Sequence, residues 1–164
     1  MQKDTIFALS TPQGVGGVAV IRISGPQAQA ALQALFQPAG TSPMEPRKLI
    51  YGRFVFDSAQ IDDGMAVLFC APASYTGEDS AELHCHGSLA VVQQLLGALG
   101  TLPGLRPAEP GEFTKRAFLH GKMDLSQAEA VMDLIGAEGL AAARQSLSQL
   151  HGTLFAKVDG ICDA

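Results

Sequence analysis

Pro110-Gly-Glu-Phe-Thr-Lys-Arg-Ala-Phe-Leu-His-Gly-Lys-Met-Asp-Leu-Ser-Gln-Ala-Glu-Ala-Val-Met-Asp-Leu-Ile135 divides the sequence into two structural regimes. Before it, short apolar runs alternate with Gly/Pro loops, a mixed α/β pattern. After it the chain contains no proline and keeps helical periodicity. Inside it, Lys115, Arg116 and Lys122 gather positive charge in a chain whose net charge is −5. Glu112 to His120 has helical spacing, Gly121 ends that helix, and Asp124 can cap the next one, which carries Leu125, Ala128, Val131, Met132 and Ile135.

The chain of 164 residues has room for one well-buried domain plus a helical piece. Hydrophobic residues make up 47%, and no apolar run approaches the ~20 residues of a membrane span. The N-terminus lacks the basic-then-apolar layout of a signal peptide. Cys70, Cys85 and Cys162 are far apart and lack metal-ligand spacing, which fits a reduced, cytoplasmic protein. The acidic balance argues against a chain that holds nucleic acid by itself. Positive charge concentrates at residues 104–123, where Arg106, Lys115, Arg116 and Lys122 face only Glu109 and Glu112.

Working outward towards the N-terminus, Thr5–Leu9 and Val18–Ser24 are β-prone runs around the loop Ser10-Thr-Pro-Gln-Gly-Val-Gly-Gly17. A dinucleotide or phosphate loop is rejected there, because its glycines would open a helix, whereas these lead into a second strand. A plain hairpin turn competes with a loop that lets a flat ligand approach backbone. Alternation puts Val18, Val20, Arg22 and Ser24 on one face and Ala19, Ile21 and Ile23 on the other. Arg22 either lies at a solvated sheet edge or reaches for an anion.

A helix follows Ser24-Gly-Pro26, with Ala28, Ala31, Leu32, Leu35 and Phe36 as its apolar stripe. Leu49–Phe56 and Met65–Cys70 read as strands, and residues 57–64 as the turn between them. Asp62-Asp63-Gly64 lacks the other ligands of a calcium loop. In the strand Ser80–Gly87, Glu82, His84 and His86 share one face. No third ligand accompanies the two histidines, so a polar or solvated face is a better reading than a metal site. Ser88 can cap an apolar helix at 89–99, and residues 101–112 read as a loop. Beyond Gly139 a last helix carries Leu140, Ala143, Leu147, Leu150, Leu154, Val158 and Ile161 in a near-heptad seam. The seam is unfinished at Ala164, which points to a fragment of a longer protein, with burial by self-association as the rival account. Cys162 beside the seam reads as a small buried hydrophobe.

Four stretches together carry a family likeness. Asp4 to Gly25, Ser74-Tyr-Thr-Gly-Glu-Asp79, Glu82-Leu-His-Cys-His-Gly87 and Pro110 to Ala130 resemble the signature segments of the MnmE (TrmE) tRNA-modifying GTPase family, in order and over nearly the whole chain. The resemblance implies an α+β folate-binding and dimerisation domain at 1–118, similar to the tetrahydrofolate domain of the glycine-cleavage T protein. It implies the beginning of a helical domain at 119–164. It further implies 5-formyltetrahydrofolate near a homodimer interface, and a flavoprotein partner, MnmG (GidA), with which an aminomethyl-type group is added at C5 of the tRNA wobble uridine. GTP, Mg2+ and K+ would belong to an inserted GTP-binding domain.

Matched residue by residue, Arg22, Glu78 and Lys122 are the expected folate contacts. Gly14, Gly16, Gly17, Tyr75 and His86 are candidate pocket residues. A carboxylate suits the donor edge of a pterin, and a cation suits the anionic glutamate tail; the motifs leave open which base takes which group. No Gly-x-x-x-x-Gly-Lys-Ser/Thr loop occurs in the sequence, so the chain alone is not expected to hydrolyse GTP. Cys162 does not match the family's functional cysteine motif. A scaffold that dimerises without binding folate and a free-standing aminomethyltransferase-like enzyme are the alternative readings.

Overall fold

The computed structural model describes residues 4–40 and 43–150. They form two compact units, up to Pro110 and from Gly111 onward. Compactness thus divides the chain ahead of the 118/119 boundary read from the sequence. That boundary came with the family resemblance and marks the extent of the domain it implies, a different quantity.

The first unit is α+β. One mixed sheet has the order β3-β4-β5-β6-β2-β1-β7. Its strands are β1 (Thr5–Leu9), β2 (Gly16–Ser24), β3 (Phe36–Pro38), β4 (Ile50–Phe56), β5 (Ala59–Phe69), β6 (Ser80–Gly87) and β7 (Leu105–Pro107). All neighbours are antiparallel except β1 and β7. Helices α1 (Ala28–Leu35) and α2 (Leu89–Thr101) bury Ala28, Leu32, Leu95 and Leu99 in one core with Ile21, Ile23, Leu83 and Ala66 of the sheet. The period-2 alternation of β2 decides which side chains enter it. Ala19, Ile21 and Ile23 go in, and Arg22 points to the opposite face.

Several elements depart from the sequence reading. The turn placed at 57–64 is only Asp57-Ser58, both with positive φ (49° and 65°), as a tight two-residue hairpin demands. Residues 59–64 are the first half of β5, where pairing with β4 overrides the weak strand propensity of Ala-Gln-Ile-Asp-Asp-Gly. Phe36 begins β3 rather than ending α1. Ser88 occupies the N-cap position of α2 but makes no side-chain cap bond. The loop assigned to 101–112 contains β7.

Glycine is required where strands crowd. A Cβ at Gly87 would lie 2.5 Å from the carbonyl oxygen of Gly16, its partner across β2 and β6. A Cβ at Gly64 would run into the His84 carbonyl.

The second unit is helical: α3 (Glu112–Leu119), α4 (Leu125–Ile135) and α5 (Leu140–Leu150). Gly121 leaves α3 at φ 69°. Asp124 caps α4 in a reciprocal box, its Oδ1 accepting from Gln127 N at 2.8 Å while Gln127 Oε1 accepts from Asp124 N at 2.9 Å. Gln127 Nε2 also donates to the Leu150 carbonyl at 2.8 Å and ties α4 to α5. Leu125, Met132, Ile135, Leu140 and Leu147 remain exposed. The apolar stripes foreseen for both helices are therefore only partly covered. Leu154, Val158, Ile161 and Cys162 lie outside the described residues.

Arg116, one of the bases gathered in the stretch from Pro110, does not face solvent. It is fully buried, and its Nη2 lies 3.0 Å from Glu112 Oε1, one helical turn back. Burial of a guanidinium requires such a partner.

Candidate functional site

On the sheet face opposite α1 and α2, strand register builds a polar cluster. Arg22 of β2 stands opposite Glu82 of β6, and its Nε and Nη2 both donate to Glu82 Oε1, at 3.0 and 2.9 Å. The guanidinium carbon lies 5.3 Å from the centre of the Tyr75 ring, a cation–π distance. Arg22 is thus clamped from one side by charge and supported on another by an aromatic face. His84 Nε2 lies 3.3 Å from the other oxygen of Glu82.

The segment 71–79 folds over this face at Arg22 and Ser24. Its ends are held by Ala71 N donating to Asp79 Oδ1 at 2.8 Å and Gly25 N donating to the Asp79 carbonyl at 2.9 Å. Thr76 is fully buried beneath it. Ser24, Thr76 and Ser80 form a hydroxyl cluster with Oγ separations of 2.7 to 3.4 Å. Ser24 Oγ also donates to Glu78 Oε2 at 2.8 Å. The strand therefore presents two consecutive same-face residues, Arg22 and Ser24, one holding a cation and the next holding the carboxylate of Glu78.

A cleft of about 240 Å³ opens beside the cluster, lined by Arg22, Arg47, Phe69, Ser74, Tyr75 and Glu82 among others. Aromatic walls, two guanidiniums and the Glu82 carboxylate can hold a flat heterocycle that carries both hydrogen-bond donors and a negative charge.

Of the sequence candidates, Arg22 and Tyr75 line this cleft, and Glu78 is bonded to Ser24 two residues further along β2. Gly17 and His86 belong elsewhere, on a groove of about 400 Å³ with Val18, Tyr51, Asp63, Met65 and His84. Gly16 is used in strand pairing with Gly87. Gly14 has φ 146° in the exposed hairpin loop. Lys122 is exposed in the helical unit, its backbone N donating to the Ala117 carbonyl at 2.9 Å.

His86 is gripped by Asp62, whose Oδ1 lies 2.8 Å from the ring Nδ1 and whose Oδ2 accepts from the His86 backbone N at 2.8 Å. That hydrogen bond and the adjoining negative charge raise the imidazole pKa above its usual value. Cys85, facing the core, has its thiol pushed up to about 11, chiefly by burial. Among the described residues no group of three or more His, Cys, Asp and Glu side chains is placed to hold a metal ion, and no helix is long and apolar enough to cross a membrane.

Sequence reasoning missed Glu82 as the partner of Arg22, Thr76 as the buried keystone, and Arg47 altogether. The shared face of Glu82 and His84 was a usable signal. Arg47, in a Pro-rich loop, gave none.

A family model described as the N-terminus of the GTP-binding protein TrmE matches residues 5–122. A "tRNA modification GTPase MnmE" of Parvibaculum lavamentivorans is 52% identical over 92% of this chain and 34% of its own length. Proteins of the same name from Rhodospirillum rubrum and Bacteroides thetaiotaomicron are 46% and 48% identical, over 98% and 93% of this chain and 37% and 33% of theirs. The chain spans about a third of the length of these relatives. All four signature segments fall wholly or largely within the matched region, and the chain belongs to the MnmE (TrmE) family of tRNA modification GTPases, to whose N-terminal part it corresponds.

Proposed function

We propose that this chain is the 5-formyltetrahydrofolate-binding and dimerising part of a tRNA modification GTPase. With a flavin-dependent partner of the MnmG (GidA) type, the longer protein would add an aminomethyl-type group at C5 of the tRNA wobble uridine. GTP, with Mg2+ and K+, would be handled by a GTP-binding domain outside this chain, and the setting is cytoplasmic. A fold like the tetrahydrofolate domain of the glycine-cleavage T protein belongs to the same reading. The observation that carries it is the juxtaposition of Arg22 and Tyr75 at one cleft, with Glu78 held by Ser24 two residues along the same strand, all within the family-matched residues.

The residues fit the ligand. Glu78, held by Ser24, offers a carboxylate to the N–H edge of a pterin, and Tyr75 offers a ring face. When bound, the folate supplies a one-carbon unit for transfer; the protein's part is to bind and orient it. Lys122 enters the proposal on the family resemblance alone.

Titration calorimetry of the chain with 5-formyltetrahydrofolate tests the reading. Binding is expected, and Glu78→Ala should weaken it several-fold or more; absence of heat, or an unchanged Glu78→Ala, would overturn it. A scaffold that dimerises without ligand is favoured by one observation. Val18, Tyr51 and Met65, respectively 61%, 56% and 44% exposed, line the same groove on the open sheet face. Sedimentation showing a dimer with no folate affinity would select that reading.

A further inference from the structure

Two guanidiniums line the folate cleft, and their surroundings differ. Arg22 spends Nε and Nη2 on Glu82, so that pair brings almost no net charge to the cleft. Arg47 makes one long contact, Nη2 to the Ala73 carbonyl at 3.4 Å. Among the described residues no carboxylate lies within ion-pair distance of it. Its backbone is held in the left-handed region, φ 65°, with its N donating to the Leu68 carbonyl at 2.7 Å. A non-glycine residue kept in that conformation aims its side chain at some local cost, and here the side chain lines the cleft.

We propose that Arg47 is the anion-binding residue of this cleft and takes the carboxylates of the glutamate tail, while Arg22, neutralised by Glu82, forms the wall against which the ring system lies. The inference rests on the folate reading and assigns the group that each arginine receives. A guanidinium recognises a carboxylate through paired N–H donors, and the weak bond to Ala73 is readily exchanged for two charge-assisted ones.

The test compares 5-formyltetrahydrofolate with a formyl-tetrahydropterin that lacks the aminobenzoyl-glutamate portion, by calorimetry on the 164-residue chain. Arg47→Ala should weaken the tailed ligand roughly ten- to hundredfold, the range of one charge-assisted pair, and leave the tail-less pterin unchanged. Arg47→Lys should recover part of the loss. Alanine carries the same Cβ, so the backbone conformation is not penalised further, and an unchanged melting temperature confirms an intact fold. If Arg47→Ala affects both ligands alike or neither, or if Arg22→Ala produces the tail-selective loss instead, the assignment is overturned while the folate reading stands. If the unaltered chain binds neither ligand, the folate reading fails and the assignment with it.

Discussion

Asp62 uses both carboxylate oxygens on a single residue, fixing the backbone and ring of His86 together. Because this raises the histidine's pKa in the folded chain, the pair stabilises the fold below the ordinary histidine value of about 6.5, and that contribution is lost as pH rises through the raised value. Asp62→Asn should bring the His86 titration, followed by the ring proton shifts in NMR, down towards the ordinary value. A titration unmoved by the substitution would show that Asp62 is not the cause. Thr76 makes a complementary case. Its hydroxyl is buried between Ser24 and Ser80 and accepts from Glu78 N, so Thr76→Val should cost about 1 kcal/mol in denaturant unfolding by removing those hydrogen bonds. Neither arrangement was legible in the sequence, although the residues were. Asp62 and His86 are brought together by the pairing of β5 with β6. Arg22 and Glu82 meet only because β2 and β6 pair in one particular register. Alternation assigns a side chain to a face but does not name its neighbour across the strand.

At the scale of elements, local chemistry was the most readable. β1, β6 and α4 lie where their patterns placed them, since a β-prone run bounded by turn residues, or a cap, closes each within its own segment. Asp124→Ala should destabilise α4 by removing the side-chain half of its capping box, visible as a lower midpoint of chemical unfolding. The short strands β3 and β7 were not readable, because three residues carry no periodicity and owe their conformation to the partner strand. The Asp57-Ser58 hairpin escaped for a related reason. Its left-handed turn uses residues other than glycine, and the following strand is polar. In α3 the ion pair within the helix reverses the usual expectation for a Lys-Arg dipeptide, with Lys115 exposed and Arg116 buried. Glu112→Gln should therefore lower the midpoint of chemical unfolding, because it takes a charged partner from a buried guanidinium, whereas Lys115→Gln should be nearly neutral in the same assay.

For the molecule as a whole, the switch of regime in the stretch from Pro110 foretold a mixed unit of strands and helices followed by helices alone, and the α+β class came with the family resemblance. Neither foretold the strand order. If the open face of the sheet is where two copies meet, Met65→Lys should move the sedimentation profile towards monomer, since it puts a charge into an apolar groove between Tyr51 and His84. An unchanged profile would exclude that face. The most consequential feature of the order is the place of β1, which lies between β2 and β7 rather than at an edge. Thr5, Ile6 and Phe7 pair in parallel with Leu105, Arg106 and Pro107, the first strand of the chain with the last strand of the sheet. Such distant contacts form late and slowly. During synthesis the outer edge of β1 stays open until Leu105–Pro107 has left the ribosome, so a nascent chain stalled earlier presents a strand edge to its neighbours. For that interval the newborn protein depends on whatever shields its first strand.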